Sequence, residues 1–223
     1  MVSFDKLSQA LTKAQAFCSD NTMDALNLLH DTRLVPVVVF NNADDATPLA
    51  SALLNAGINC IEVTLRTPCA LQAIANISRE VPDIILGAGS VITPQQFAEA
   101  QDTGAQFVVS PGATPELLAC ATLPFIPGCA SASESMALYT AGYTLQKFFP
   151  AEQNGGVKTL MAWSGPLANV RYCPTGGINP QNALEYLALA NVQCVGGSWF
   201  VGSDDVEAGR FEAIKQAAEL VSP

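Results

Sequence analysis

The sequence predicts an α/β fold, a (β/α)8 TIM barrel with a helical leader at its amino terminus. Three observations lead there: eight short apolar runs, a helix-sized interval after each, and polar residues gathered at the strand ends. After a polar, helix-like leader through His30, the runs fall at 34–40, 58–64, 84–88, 106–110, 124–127, 145–149, 170–174 and 192–196. Their starts lie about 18 to 26 residues apart, which leaves room for one crossover helix per interval, the rhythm of parallel βα units. An open doubly wound sheet shares that rhythm. Against it stand the missing early Gly-x-Gly-x-x-Gly and the even spread of polar strand ends.

Helix starts recur behind the strands. Thr67-Pro68, Thr93-Pro94, Thr114-Pro115 and Asn179-Pro180 each set a capping side chain before a proline at the first helical position. Thr93 with Gln96 and Ser131 with Glu134 have capping-box spacing. No Pro/Ser-rich linker or charge block divides the 223 residues, so 1–223 reads as a single domain.

Composition narrows the class. With 49% hydrophobic and 13% charged residues, the chain has apolar surface for a large core, which excludes a disordered chain. No run approaches the roughly 18 apolar residues of a membrane span, and the amino terminus has no secretory pattern, so the expected location is the cytoplasm. The 7 cysteines form no CxxC pair and read as reduced core thiols. A sole histidine, His30, fits a surface or capping role and leaves no basis for a histidine-rich metal site or a Ser-His-Asp triad. A formal charge of -10 argues against nucleic acid or an anionic membrane as partner. A small anion can still be held by a few cations and helix amino termini.

Two strand ends carry candidate chemistry. Lys147 lies in the apolar run Thr144-Leu145-Gln146-Lys147-Phe148-Phe149-Pro150. Burial disfavours the ammonium form of a lysine, and the neutral amine attacks carbonyls; a lysine snorkelling from a strand end is the plainer reading. In Ile61-Glu62-Val63-Thr64-Leu65-Arg66-Thr67, period two places Glu62, Thr64 and Arg66 on one face. Strands covered outside by helices must turn that polar face inward. Arg66 suits a carboxylate, its plain alternative being a structural ion pair with Glu62 or another acid. Glu62 suits proton transfer.

In a barrel every strand-to-helix junction opens on one face. That face would also receive Gly87-Ala88-Gly89-Ser90, Ser110-Pro111-Gly112, Pro174-Thr175-Gly176-Gly177 and Gly196-Gly197-Ser198. The two Gly-Gly pairs follow the seventh and eighth strands, where backbone N–H groups commonly meet a phosphate; Thr175 and Ser198 add hydroxyls. A buried lysine, a carboxylate, an arginine and a phosphate cradle together fit Schiff-base chemistry on a 2-keto acid carrying a phosphate.

At these residues the chain resembles the 2-keto-3-deoxy-6-phosphogluconate (KDPG) aldolases, a family that also handles 4-hydroxy-2-oxoglutarate. The matching segments are IEVTLRTPCALQAI from Ile61, GAGSVITPQQ from Gly87, GAQFVVSPG from Gly104, KFFPAEQNGGVK from Lys147, CPTGGINPQN from Cys173 and VGGSWF from Val195. The resemblance implies a class I aldolase of the Entner–Doudoroff pathway, usually a homotrimer, acting on a small-molecule 2-keto acid sugar phosphate without metal or organic cofactor. It implies Lys147 as the Schiff-base residue, Glu62 as general acid/base, and Arg66 with Ser90 and Pro111 at the substrate carboxylate. It further implies Phe149 in the pocket wall and Thr175, Gly176, Gly177, Gly197 and Ser198 at the phosphate or distal end.

The chain departs from the family pattern in three places. Ser90 stands where threonine is frequent, Gln146 where an apolar residue is common, and the stretch 114–127 is a few residues short. Gly128-Cys129-Ala130-Ser131 resembles the sister phosphogalactonate aldolases, while Thr64-Leu65-Arg66 favours the gluconate branch. A phosphosugar isomerase or epimerase barrel, or a non-catalytic sugar-phosphate binder, would explain the phosphate loops without a covalent lysine.

Overall fold

The computed structural model describes residues 24–202, 204, 208, 209 and 211–221; most of the expected leader lies outside them. Its described part is α1 (Ala25–Leu28), capped by Asp24, whose carboxylate accepts from Leu26 N. His30 is exposed behind this helix, pairing with Asp31 at 2.7 Å.

The architecture is mixed α/β, with parallel strands in two curled sheets and helices packed on their convex side. β1 (Leu34–Val38), β2 (Cys60–Thr64), β3 (Ile85–Gly89), β4 (Phe107–Val109), β5 (Phe125–Ile126) and β9 (Val195–Gly197) form one sheet, ordered β5-β4-β3-β2-β1-β9. β6 (Gly128–Cys129), β7 (Leu145–Phe148) and β8 (Arg171–Pro174) form the other. All pairings are parallel, as the helix-sized intervals predicted. The run expected at 124–127 is the first half of a strand interrupted at Pro127, beyond which β6 pairs with β7. Proline has no N–H to give to a ladder, yet its carbonyl accepts from Lys147 N at 2.9 Å. Between β8 and β9 run two isolated parallel bridges, Tyr172↔Val192 and Thr175↔Gly196.

The helices are α2 (Ala46–Asn55), α3 (Ala70–Glu80), α4 (Pro94–Asp102), α5 (Pro115–Cys120), α6 (Ala132–Thr140), α7 (Gly156–Trp163), α8 (Ala183–Leu187) and α9 (Glu212–Val221). None of the described helices is long and apolar enough to cross a membrane. Thr93 and Thr114 cap α4 and α5 ahead of a first-turn proline, and Ser131 with Glu134 closes a complete capping box on α6. Gln96 closes its box one residue early, accepting from Ile92 N.

The other two expected caps fail. α3 begins only at Ala70, because the Thr67 hydroxyl donates to Phe40 O at 2.7 Å and so ties the turn to the end of β1. α8 begins at Ala183, because the Asn179 side chain closes a local turn, accepting from Gln181 N and Asn182 N.

Strand alternation sorts the core into two clusters. The convex side of the sheets carries Leu34, Val38, Ile61, Val63, Phe148, Tyr172 and Val195 against the helices. The concave side carries Val35, Cys60, Phe107, Leu145, Cys173 and Cys194, with Ala25 and Leu29 of the leader segment closing that cluster. Glu62 and Lys147 have the parity of the concave set, one pleat beyond Cys60 and Leu145.

Gln146, the departure beside Lys147, faces the other way into a buried polar network. Its amide donates to Ser135 O and Tyr143 O at 3.0 Å each and accepts from the Cys129 thiol at 3.5 Å, while the Ser135 and Tyr172 hydroxyls meet at 2.7 Å. A polar side chain is stable there because each end finds a partner. Gln146→Leu keeps the volume but strips two buried carbonyls of a donor; the expected loss is about 1–3 kcal/mol of unfolding free energy, measured by urea titration.

Candidate active site

Glu62 on β2 and Lys147 on β7 meet across the concave face. Lys147 Nζ lies 3.4 Å from Glu62 Oε1, with the side chains 5% and 2% exposed. The two strands bring together residues 85 apart in sequence. A buried charge is tolerated when paired, and here each is the other's partner. The Phe149 ring, partly buried at the end of β7, lies 5.4 Å from Nζ and covers the ammonium by a cation–π contact.

Gly89 makes the pair possible. A Cβ at this position would fall 2.1 Å from Glu62 Oε1 and 2.6 Å from its Cγ, so the carboxylate occupies space that any side chain at 89 would take. Sequence reasoning singled out the segment 87–90 as a junction and missed this role; an inward-parity glycine beside an inward glutamate was the available signal.

The floor beneath the pair is sulfur-rich. Cys60, Cys173 and Cys194 are all buried. Burial, with the nearby charges, pushes the Cys60 thiol well up. A hydrogen bond from Cys194 and the Lys147 charge draw Cys173 down against its burial, while the same bond pushes Cys194 up.

Arg66 does not share the strand face expected of it. β2 ends at Thr64, whose buried hydroxyl donates to Val38 O at 3.0 Å, and Arg66 stands exposed in the following turn. Among the described residues no carboxylate pairs with it, so the alternative ion pair with Glu62 is absent. Its Nε instead donates to Ser90 Oγ at 2.8 Å. Ser90 holds a left-handed backbone with φ of 59°, uncommon for a residue with a Cβ and characteristic of functional turns. The two side chains thus form a donor-rich ledge above the pair. Pro111 lies apart from it, its backbone pressed against Gly128, the β6 residue paired with Lys147.

On the opposite rim, Thr175 is buried at the end of β8 and its hydroxyl fills the space above Gly196, where a Cβ would come within 2.3 Å. Gly176 and Gly177 follow with φ of 98° and 79°. The carbonyls of Thr175, Gly176 and Gly177 are all engaged, by Ala151 N, by Glu152 N, and by the Asn179 and Asn182 amides. The parallel bridge Thr175↔Gly196 turns the Gly176 N–H toward the Gly196 carbonyl, whereas among the described residues no acceptor takes the N–H of Gly177, a donor open to an anion. Gly197 is buried against the Trp199 ring, and Ser198 is exposed at the end of β9.

The family model for KDPG and KHG aldolase matches residues 26–217. The chain belongs to that family. It is 50% identical over 197 residues to the KHG/KDPG aldolase of Escherichia coli (strain K12), covering 87% of this chain and 92% of that one. In structure it is similar to the KDPG aldolase of Legionella pneumophila, solved with pyruvate captured as a covalent carbinolamine: TM-score 0.84 and 45% identity, over 87% of this chain and 96% of that one. A native KDPGal structure is more distant, at TM-score 0.72 and 26% identity over 84% and 91% of the two chains. As a member of this family the protein is an enzyme, a lyase.

Two outcomes follow from this geometry. Gly89→Ala should leave the chain folded by circular dichroism but lower kcat about 100-fold, because a misplaced Glu62 loses its alignment with Nζ; coupled detection of pyruvate release measures it. Near pH 8 iodoacetamide should leave Cys60, Cys129 and Cys194 unlabelled in the native protein. The thiolate is the reactive form, and burial holds Cys129 at about 12, for example. Peptide mass spectrometry of native and urea-unfolded protein checks this.

Proposed function

We propose that the protein is a class I aldolase that reversibly cleaves KDPG to pyruvate and glyceraldehyde 3-phosphate, and 4-hydroxy-2-oxoglutarate to pyruvate and glyoxylate, through a Schiff base on Lys147. The observation that carries this reading is the buried pair of Lys147 Nζ and Glu62 Oε1 at 3.4 Å, in a chain of this family. Glu62 takes a proton from the ammonium, and the free amine attacks the C2 carbonyl to give a carbinolamine. The carboxylic acid returns its proton to the departing hydroxyl, water leaves, and an iminium forms. Glu62 then removes the C4 hydroxyl proton. The C3–C4 electron pair flows into the iminium, the aldehyde departs, and the enamine remains. Protonation at C3 and hydrolysis release pyruvate and restore the lysine. The iminium is the electron sink, so the scheme uses no metal or organic cofactor.

Binding follows the two rims. Arg66 and Ser90 hold the substrate carboxylate, with Pro111 closing the Lys147 side and Phe149 walling the pocket. Thr175, Gly176, the Gly177 amide, Gly197 and Ser198 receive the phosphate or the distal end. The single domain 1–223 is taken as one closed (β/α)8 barrel. Its support is the pair of bridges linking β8 to β9 and the single residue, Pro127, separating β5 from β6. The galactonate-type reading is disfavoured by 26% identity to the KDPGal structure against 50% to the Escherichia coli relative. Exposed apolar side chains at Ile92, Met136, Tyr139, Met161 and Leu184 provide surface for a cytoplasmic homotrimer. Light scattering should then give three times the chain mass of 23.3 kDa.

Incubation with pyruvate and borohydride tests the chemistry. Intact-protein and peptide mass spectrometry should find one reduced pyruvyl adduct, confined to Lys147 and absent from Lys147→Ala. No adduct on folded native protein would sink the covalent mechanism and promote a phosphosugar isomerase.

A further inference from the structure

Glu152 and Tyr186 lie outside the reacting centre, yet Glu152 presses on the Gly176–Gly177 turn and Tyr186 holds its carboxylate. Glu152 follows β7; its stem lies against Gly177, where a Cβ would fall 2.5 Å from Glu152 Cγ and 2.8 Å from its Cβ. Its carboxylate turns away from that turn, toward the start of α7. At Gly156 a Cβ would sit 2.9 Å from both Glu152 Oε1 and the Tyr186 hydroxyl. The Tyr186 hydroxyl, on a fully buried side chain of α8, donates to Glu152 Oε1. Burial and then the Glu152 contact hold the phenol above its usual range, so it remains a donor. The backbone makes the same link, Ala151 N to Thr175 O at 2.8 Å and Glu152 N to Gly176 O at 3.2 Å.

This arrangement leaves an exposed carboxylate at the edge of a turn whose free Gly177 amide suits an anion. A carboxylate free to swing would stand beside the bound phosphate as a like charge. The neutral, rigid hydroxyl of Tyr186 draws it to the other side of its own stem. We propose that Tyr186 is a positioning residue for substrate selection: by tethering Glu152 it keeps negative charge off the Gly176–Gly177 turn and so favours phosphorylated 2-keto acids over unphosphorylated ones. The inference rests on that turn being the phosphate site. Neither residue touches the reacting atoms, so the effect belongs in KM for one substrate class.

The test compares native enzyme with Tyr186→Phe, Glu152→Gln and the double variant, on KDPG and on 4-hydroxy-2-oxoglutarate. Tyr186→Phe keeps the buried ring and frees the carboxylate. KM for KDPG should rise about tenfold, the scale of one charge-assisted hydrogen bond, with kcat, the KM for 4-hydroxy-2-oxoglutarate and the pyruvate adduct on Lys147 unchanged. Glu152→Gln removes the charge and keeps an acceptor for the hydroxyl, so the double variant should recover most of the native KM. An equal rise for both substrates, no rise at all, or no recovery in the double variant would overturn the tether. Inorganic phosphate separates the two levels. If it competes with KDPG in the native enzyme while Tyr186→Phe changes nothing, only the tether fails. If it does not compete, and Gly177→Ala leaves the KM for KDPG unchanged, the phosphate site and the tether fail together.

Discussion

A lysine ammonium and a glutamate carboxylate, each almost wholly withdrawn from water, depend on one another, and the rest of the structure is arranged around that dependence. Removing either partner would leave an uncompensated buried charge, whereas well-packed apolar residues in both places would serve stability as well or better. The pair is therefore poor evidence of a stability device and good evidence of chemistry. It also constrains its neighbours. Gly89 leaves the carboxylate its space, Phe149 covers the ammonium, and the thiols of Cys60, Cys173 and Cys194 supply a polarisable floor.

Strand parity is what makes such a site compact. Cys60 and Glu62, like Leu145 and Lys147, are two residues apart and point the same way, so each strand contributes one floor residue and one reacting residue. The intervening Ile61 and Gln146 face the helices, where Ile61 packs in the larger core and Gln146 finds three polar partners. The glutamine beside the lysine is thus a feature of the helix-facing layer. Its amide links β7 to α6 and to the turn at Tyr143, which steadies the strand that presents Lys147.

These two scales explain what could be read from the chain. Period-two alternation and helix-sized spacing are local, so the positions of the strands and the inward parity of Glu62 and Lys147 were legible from single segments. Where the reading failed, a distant partner had claimed a locally plausible group. Thr67 has the sequence of a helix cap, but its hydroxyl is taken by Phe40 O, 27 residues earlier. Arg66 continues the alternation on paper, but β2 stops two residues before it and the turn hands its guanidinium to Ser90. The link between Glu152 and Tyr186 spans 34 residues and joins the turn after β7 to α8, with no periodicity to announce it. Gly89 was visible only as a member of a glycine-rich junction, since the requirement for it comes from a side chain on the neighbouring strand.

The same geometry bears on how an acidic chain would hold the proposed substrate, an anion at both ends. Of its 10 lysines and arginines, Arg33 and Arg171 donate to backbone carbonyls, Arg79 pairs with Glu80, and Lys158 and Lys215 lie exposed on outer helices. Among the described residues, that leaves Arg66, exposed in the turn after β2, and Lys147, buried beside Glu62, as the cations available to the proposed chemistry. A phosphate proposed at the far rim would then be met without a cation, and hydroxyls with a backbone amide can do so, because a fixed N–H dipole neither titrates nor adds to the net charge. Such a site is unusually sensitive to a neighbouring carboxylate, having no positive side chain to mask it. The formal charge of -10 makes the placement of each nearby acid matter more, and a buried tyrosine holding one glutamate aside is the kind of control that an anion site without a cation requires.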